Sequence, residues 1–327
     1  MIIPLYDTTA NAIADKLVAI RREGGVVALS RVLTLLVPVG AGQAELAIKA
    51  ANAASMEHPC RVIVLVERDA SGEPTLDAEI RIGGDAGASE VVVLRLRGPL
   101  VDQRNSLVTP LLLPDVPVVT WWPDHLPDCP AAMPLGQLAD HRVTDSRTAS
   151  DPLDARLRRL REGYRPGDVD LAWTCLTWWR AHLASLLDRP PFEPVEAVTI
   201  AGRVDDPPAM LLAAWLGWKL DCDVTIVRQP QADAVTRVEL HRAAGDLAIS
   251  RAPGSDEAVV SVPGFADQRI RLGPRGLADC LSEELRRLDE DVVYGAVVGQ
   301  GLPWLAHSGR VRYAEDSADQ ILLDHHA

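Results

Sequence analysis

The first half of the chain alternates short apolar runs with stretches of helical spacing. Segments 31–37, 61–66 and 90–97 are rich in Val, Leu and Ile, which is typical of strands covered on both faces. The other predicted elements are a helix that Thr8 or Thr9 caps and Gly24-Gly25 ends, a helix at 44–54, an alternating edge strand at 76–82, a helix-like stretch at 101–113, and strands at 116–122 and 143–144. This alternation predicts a layered α/β domain.

The second half begins in the same way and then changes its pattern. A strand at 195–201, a helix at 208–220 and a strand at 223–227 predict a further β-α-β unit, which we expect to be parallel and right-handed. Four later segments alternate apolar and polar residues, as antiparallel strands with one solvated face do. These segments are 235–241, 247–250, 258–262 and 269–272. We therefore predict an α/β fold of two helix-flanked sheet units, the second extended by an antiparallel meander.

Prolines and turn residues indicate where the domains join. A Pro-rich region at 123–134 and a turn at 164–168 place the join within 145–170. The predicted helices of this region and beyond are a charged helix at 151–161, one long helix at 170–187 and a helix at 274–288. The predicted domains are an N-terminal α/β domain over 1–150, a C-terminal α/β domain with the antiparallel extension over 151–306, and a polar tail over 307–327 that could be mobile.

Charge and composition narrow the function classes. The formal net charge is −13 and Lys and Arg form no cluster, so we expect no nucleic-acid partner, because phosphate backbones attract clustered cations. Apolar runs such as 91–94 are too short to cross a bilayer, and the N-terminus does not resemble a secretory signal. Five scattered cysteines without close pairs favour a reducing compartment. We therefore expect a soluble cytoplasmic protein with no membrane partner.

The turn Gly40-Ala41-Gly42 opens like the glycine-rich turn of dinucleotide-binding folds. Glu67, at the end of the next strand, stands where such folds place a ribose-binding acid. However, Glu45 replaces the third glycine, and its carboxylate would crowd and repel a pyrophosphate at the helix N-terminus. An ordinary strand-to-helix turn is the favoured interpretation. The alternative is an enzyme or sensor that binds a nucleotide or a sugar phosphate at this turn.

Two pairs of residues have the side-chain types of metal ligands. His58 and Cys60 form one pair, and His125 and Cys129 form the other. Neither pair is matched by a second pair at the spacing of a tetrahedral site, so structural roles are favoured for both. The sequence also has no Gly-x-Ser-x-Gly elbow and no Walker-type loop. We expect no catalytic residue, no metal and no cofactor.

Eight tryptophans stand out in a chain that is poor in Phe and Tyr. In Trp121-Trp122 the period of a strand sends the two rings to opposite faces. One ring can enter the core, while the other packs beneath the following loop or contacts a partner. Pro123 stops the strand and holds a loop that carries Asp124 and His125. Because Trp often anchors protein interfaces, we predict that this loop is a partner surface.

A second tryptophan pair and a small basic group are further candidates. On the predicted helix at 170–187, Trp179 lies on the buried stripe and Trp178 points about 100° away from it. Trp178 is interpreted equally as a partner anchor or as a ring that another element covers. Arg95, Arg97 and Arg104 could hold an anion or a partner's carboxylate. The favoured alternative for these arginines is a solvated, internally paired network.

Several segments are shared with one family. Within 91–146 the chain reads WWP, followed by PLGQLADHRVTDS. Other segments are HPCRVI at 58–63, YRPGD at 164–168, DLAWT at 170–174, LAAWL at 212–216 and CLSEELRRLD at 280–289. Together they resemble the OpcA-type glucose-6-phosphate dehydrogenase assembly proteins in their actinobacterial form, and WWP with PLGQLADHRVTDS is the most specific part. The resemblance covers nearly the whole chain except about the last twenty residues.

This resemblance implies a non-catalytic assembly factor and allosteric activator of glucose-6-phosphate dehydrogenase, at the entry to the oxidative pentose phosphate pathway. NADP and glucose 6-phosphate would then belong to the enzyme and not to this chain. The family motifs designate no individual contact residues, so the predicted partner-binding residues rest on their chemistry alone. They are Trp121, Trp122, Asp124, His125, Arg95, Arg97, Arg104 and Trp178.

Overall fold

The structure is a computed structural model that describes residues 1–23, 32–67, 71–83, 90–203 and 205–316. Strands and helices are numbered along the chain. The strands are β1 (Ile2–Leu5), β2 (Leu33–Gly40), β3 (Cys60–Glu67), β4 (Thr75–Ile82), β5 (Glu90–Arg97), β6 (Val118–Trp122), β7 (His141–Thr144), β8 (Asp168–Asp170), β9 (Ala197–Arg203), β10 (Asp223–Gln229), β11 (Val235–His241), β12 (Leu247–Arg251), β13 (Glu257–Ser261), β14 (Gln268–Arg271) and β15 (Val311–Glu315). The α-helices are α1 (Ala10–Glu23), α2 (Ala44–Ser55), α3 (Arg104–Val108), α4 (Pro134–Gln137), α5 (Leu153–Gly163), α6 (Leu171–Thr174), α7 (Thr177–Leu187), α8 (Pro207–Leu220), α9 (Leu277–Arg286), α10 (Val292–Ala296) and α11 (Leu302–His307).

The chain forms two compact units, each assembled from separate segments. The first unit comprises Met1–Ser150, Glu162–Thr174 and Gly276–Asp291. The second unit comprises Asp151–Arg161, Cys175–Arg275 and Val292–Ala327. These units differ from the predicted continuous domains because α9 returns to the first unit, where it packs against α2 and α6. Such a return depends on contacts between distant segments, which a local sequence pattern does not contain.

The first unit is built on an eight-stranded sheet of order β1-β4-β5-β3-β2-β6-β7-β8. Its six strands from β5 to β8 in that order are parallel, while β4 runs antiparallel to β5 and β1 antiparallel to β4. Every residue of β3 except the last is buried, which explains its unbroken apolar run. After β5 the chain crosses the sheet and adds β6 on the free side of β2. The place between β2 and β6 is therefore the topological switch point of the sheet.

Helices cover both faces of this sheet, as predicted. On one face Ile13 and Leu17 of α1 and Leu135 of α4 share an apolar cluster with Leu36 and Ile63 of the central strands. On the other face α2 packs against β2 and β3. The predicted cap of α1 is confirmed for Thr9, whose Oγ1 accepts a hydrogen bond from the amide of Ala12 at 3.2 Å. The first unit therefore has the layered α/β architecture that the sequence predicted.

Two of the elements predicted for this part of the chain differ in the structure. The strand at 76–82 is not an edge strand, because β1 pairs with it from outside. Pro4 made β1 difficult to predict, although proline is tolerated on an edge strand. The predicted long helix at 170–187 is divided into β8, α6 and α7. Its first residue, Asp170, belongs to the sheet because it pairs with Thr144 of β7. The carboxylate of Asp170 accepts a hydrogen bond from the amide of Ala172 at 2.9 Å, at the start of α6.

The second unit contains a seven-stranded sheet of order β14-β13-β12-β11-β9-β10-β15. Strands β9, β10 and β15 are parallel, and β11 to β14 continue the sheet as an antiparallel meander. The predicted β-α-β unit and the predicted meander are both confirmed. The expectation of an irregular tail is wrong for Val311–Glu315, which pairs with β10. Residues 317–327 lie outside the described residues.

Candidate functional site

The switch point of the first sheet brings several predicted site residues together. Gly40 ends β2 and donates its backbone N–H to Oδ2 of Asp124 at 2.7 Å. The other carboxylate oxygen of Asp124 lies 2.8 Å from Nδ1 of His125. Nearby, Nε of Arg104 donates to Oε1 of Glu67 at 2.6 Å. The carboxyl ends of β2, β3 and β6 therefore carry two groups of side chains that are already bonded. Asp124 is bonded to His125 and to the Gly40 amide, and Glu67 is paired with Arg104.

These pairs leave little room for a ligand. The cavity at this place measures about 60 Å³, and Glu67, Arg104, Trp122 and His125 are among its lining residues. Sites for small-molecule ligands are commonly about 300–1,000 Å³. The amide of Gly40, the first glycine of the turn, is already bonded to a carboxylate. The geometry therefore gives no support to a nucleotide or sugar-phosphate site at the turn.

The carboxyl group of Asp124 is held in its ionised form. Burial acts to raise its pKa, but hydrogen bonds with His125 and with the Gly40 amide outweigh burial and keep the pKa below its ordinary value. An ionised carboxylate at the end of β2 repels a phosphate. This is a second reason to assign the turn a structural role, in which the end of β2 is bonded to the loop that follows β6.

The tryptophan pair of β6 is buried on both faces of the sheet. Trp121 and Trp122 have relative exposures of 0% and 1%, so the prediction that one ring contacts a partner is wrong. Thr120 pairs with Leu36 in the parallel register, which places Trp122 on the face covered by α1 and α4. Its ring lies beneath Gly136, while Trp121 enters the opposite face. The rings do face opposite sides of the sheet, but both rings are buried.

The loop after β6 keeps only its polar residues at the surface. The side chain of His125 is half exposed, and that of Asp124 is more enclosed. The loop has no exposed tryptophan ring, and its residue His125 lines the small cavity. A contact through Asp124 and His125 therefore stays a prediction, without a tryptophan anchor.

The three predicted arginines do not form one basic group. Nη2 of Arg95 donates to Oε2 of Glu79 at 3.1 Å, and Arg104 is paired with Glu67. Arg97, at the end of β5, is exposed. Two of the three arginines therefore follow the internally paired alternative, and Arg97 stays the candidate for an external contact.

The tryptophan pair of α7 divides as helix geometry predicted. Trp179 is buried and Trp178 is 54% exposed. The alternative in which another element covers Trp178 is therefore wrong for the residues that the structure describes. Among the predicted aromatic anchors, Trp178 is the one that the structure leaves accessible.

Sequence reasoning missed a buried carboxylate between two strands of the first unit. Asp170 accepts hydrogen bonds from Oγ1 of Thr144 at 2.6 Å, Oγ of Ser146 at 2.8 Å and the amide of Ala172 at 2.9 Å. Burial, with the nearby charge of Asp145, raises the pKa of this carboxyl above its ordinary value. The signal was present in the segments HRVTDS and DLAWT. Because Thr144 lies on β7 and Ser146 follows it, the hydrogen bonds that Asp170 accepts from them fasten β8 to the sheet.

Within the described residues, the pairs His58 and Cys60, and His125 and Cys129, are not completed to a metal site by further side chains. In the described parts of the chain, no three His, Cys, Asp or Glu side chains come together as a metal site. Within the described residues the five cysteines form no disulfide, and they are Cys60, Cys129, Cys175, Cys222 and Cys280. None of the described helices combines the length and the apolar character that crossing a bilayer requires.

Comparisons with known proteins point to one family. A family model for the N-terminal domain of a glucose-6-phosphate dehydrogenase subunit matches residues 51–162. A second family model, for the C-terminal domain of the same kind of subunit, matches residues 166–298. No curated protein matches the chain.

Solved structures resemble the chain only remotely. A glucose-6-phosphate 1-dehydrogenase from Mycobacterium avium is 13% identical, with 90% of this chain and 97% of that chain covered and a TM-score of 0.41. An NAD binding oxidoreductase from Klebsiella pneumoniae is 10% identical, with 84% and 94% covered and a TM-score of 0.40. At these values neither likeness bears on the fold or the function of this chain.

Proposed function

Because the chain belongs to the OpcA-type family of glucose-6-phosphate dehydrogenase assembly proteins, we propose that it binds this enzyme and activates it without catalysing the reaction itself. The two family models, which match residues 51–162 and 166–298, carry the proposal. They confirm the family that the sequence segments predicted. The enzyme partner, the activation and the cytoplasmic location are the proposed parts.

The geometry of the switch point supports a non-catalytic role. Asp124, His125, Glu67 and Arg104 are engaged with one another or with the backbone of Gly40. A catalytic acid or base must instead be within hydrogen-bond reach of a substrate proton. A cavity of about 60 Å³ does not admit a sugar phosphate together with a nicotinamide cofactor.

A binding protein can activate an enzyme only by a difference in affinity. It must bind the active conformation or the active oligomer more tightly than the inactive form. A tenfold shift in that equilibrium requires a difference of about 1.4 kcal/mol. A single exposed aromatic anchor that becomes buried in the complex is sufficient to supply it.

The residues proposed for the contact are those that the structure leaves accessible. Trp178 offers an exposed ring on α7, and Arg97 offers an exposed guanidinium at the end of β5. Asp124 and His125 border the small cavity. Trp121, Trp122, Arg95 and Arg104 are not proposed as contacts, because burial or internal ion pairs already engage them.

Co-expression with the dehydrogenase of the same organism tests the proposal. We expect the two chains to co-elute in sizing and the enzyme's activity to rise when this chain is present. An inert protein of similar size and charge serves as the control. Separate elution together with unchanged activity over a range of concentrations would contradict the proposal.

The non-catalytic part has its own test. The purified chain alone is expected to show no turnover of glucose 6-phosphate with NADP. Turnover that survives removal of contaminating enzyme, and that scales with the amount of this chain, would show that the chain is itself a dehydrogenase.

A further inference from the structure

The chain has only two phenylalanines, and both lie on the surface of the second unit. Phe192 is 77% exposed and Phe265 is 72% exposed. A phenyl ring has no polar atom to satisfy in water, and its burial against an apolar surface is favourable. Single exposed apolar residues are common, but here every phenylalanine of the chain is exposed, and the fold places both at the same end of one sheet.

The strand register shows that the two rings share an edge. Phe192 precedes β9, whose first residue, Ala197, pairs with the last residue of β11, His241. Phe265 lies between β13 and β14, and Ser261 at the end of β13 pairs with Ala248 near the start of β12. Because β11 and β12 are joined by a turn at this same end, all three loops project from one edge of the sheet. With strands about 4.8 Å apart, the two loops lie about 15 Å from each other.

The loop at 242–246 contacts each of the other two loops. Nη1 of Arg242 donates to the carbonyl of Pro191 at 3.2 Å, and the amide of Ala244 donates to Oε2 of Glu193 at 3.0 Å. On the other side, a Cβ added to Gly245 would lie 2.8 Å from the ring of Pro263. The loop at 242–246 therefore connects the segment that carries Phe192 to the turn that carries Phe265. We call residues 190–196, 242–246 and 262–267 the phenylalanine edge.

Acidic side chains outnumber basic ones on the phenylalanine edge. Glu196 and Asp267 are exposed, and Asp246 is half exposed although it lies 3.0 Å from Nδ1 of His241. The guanidinium of Arg242 is largely buried within the loops. The edge therefore presents two apolar rings among carboxylates, which is complementary to an apolar surface bordered by Lys and Arg.

We propose that the phenylalanine edge is a docking surface for glucose-6-phosphate dehydrogenase, which receives Phe192 and Phe265 in an apolar surface bordered by basic side chains. This inference rests on the proposed function. A second copy of this chain is a poorer occupant, because a twofold contact would bring the same carboxylates together. Like charges placed against each other at an interface oppose binding.

The test compares Phe192→Ser and Phe265→Ser with the unchanged chain in binding to the purified dehydrogenase. Each substitution is expected to weaken the complex about 30-fold, as the loss of an interface anchor does. Because both rings are exposed, the melting temperature of the free chain should change little. Tyr6→Ser is the matched control, since Tyr6 is 78% exposed in the first unit, and it should leave binding unchanged.

A charge-reversed variant adds an independent measurement. Glu196→Lys combined with Asp267→Lys should slow association with the dehydrogenase and reduce the sensitivity of that association to salt. An unchanged rate and unchanged salt dependence would overturn the basic border assigned to the partner.

The outcomes separate the two levels of the proposal. If the unchanged chain does not bind the dehydrogenase, the proposed function fails, and this inference fails with it. If the unchanged chain binds but both serine variants bind equally well, only the phenylalanine edge is overturned. If the chain alone forms a dimer that Phe192→Ser or Phe265→Ser dissolves, the occupant is a second copy, which also overturns the inference.

Discussion

Two regions of the molecule, strand β6 in the first unit and the surface of the second unit, place aromatic side chains in different ways. In the first unit the rings of Trp121 and Trp122 are buried on opposite faces of a covered sheet, whereas in the second unit Trp178, Phe192 and Phe265 are exposed. An interior strand between two helical layers has no outward side, so adjacent aromatics there add to the core. A surface helix or a loop always has an outward side. The position of an element, more than its aromatic content, therefore decides whether a ring stabilises the fold or can contact a partner.

Replacing a tryptophan of β6 should have the largest effect on stability. Trp122→Ala removes a fully buried ring beside an existing cavity, and we expect it to lower the free energy of unfolding by about 3–5 kcal/mol. Urea unfolding followed by circular dichroism measures the loss. A loss below about 1 kcal/mol would mean that Trp122 is not the core residue described above.

Gly136, which packs on the ring of Trp122, offers a second test of how closely the first unit is packed. A Cβ added at Gly136 would lie 1.8 Å from the carbonyl oxygen of Pro130, whereas a Cβ at Gly42 would have no neighbour within 4 Å. Gly136→Ala should therefore lower the free energy of unfolding by about 3 kcal/mol. The matched change Gly42→Ala should stay within about 0.5 kcal/mol. Equal melting temperatures for the two variants would contradict the close approach.

The regular part of the fold could be predicted from the sequence, because its signals are local. The strand at 90–97 and the strand at 235–241 were predicted with the bounds that β5 and β11 have. Short strands escaped prediction because distant partners hold them. β8 has three residues and exists through its pairing with β7, and β15 exists through its pairing with β10.

The candidate site was predicted less completely than the fold. The sequence placed Trp121 and Trp122 on opposite faces correctly, but their burial depends on which elements cover β6. The preference for a structural turn at Gly40 agrees with the structure, where Asp124 from a distant loop bonds its amide. The placement of Phe192 and Phe265 at the same end of the second sheet had no local signal, because it follows from the order of the strands.

Two carboxylates, Asp170 in the first unit and Asp233 in the second, also differ in their pKa, and pH can separate them. Burial raises the pKa of Asp170 in the first unit. In the second unit burial acts to raise the pKa of Asp233, but two hydrogen bonds from Arg251, at 2.7 and 3.3 Å, outweigh it and lower the pKa. A lowered folded-state pKa gives stability that is present above the unfolded pKa of about 3.9 and is lost as the pH falls through the folded pKa.

Asp233→Asn should therefore destabilise the chain at pH 7 and not at low pH. We expect a loss of about 1 kcal/mol at pH 7, reduced by solvent screening because a third of the side chain is exposed. The difference should shrink as the pH falls below about 4, where the carboxylate of the unfolded chain becomes protonated, and vanish once the pH passes below the lowered pKa of the folded chain. Urea titrations at several pH values measure it, with the exposed Asp102→Asn as control. A loss that is the same at every pH would show that the ion pair is not its origin.

Replacing the exposed tryptophan of α7 should have the smallest effect on stability and a clear effect on binding. Trp178 projects from the helix while Trp179 enters the core, so Trp178→Ala should change the free energy of unfolding by less than about 0.5 kcal/mol. If Trp178 contacts the dehydrogenase, the same variant should weaken the complex by about 2 kcal/mol. Trp179→Ala is the matched control, which should lower stability by about 3–5 kcal/mol and, at a temperature where the fold is intact, leave binding unchanged. Stable Trp178→Ala protein with undiminished binding would exclude this ring from the contact, and the docking surface of the second unit would then lie elsewhere, as the phenylalanine edge does.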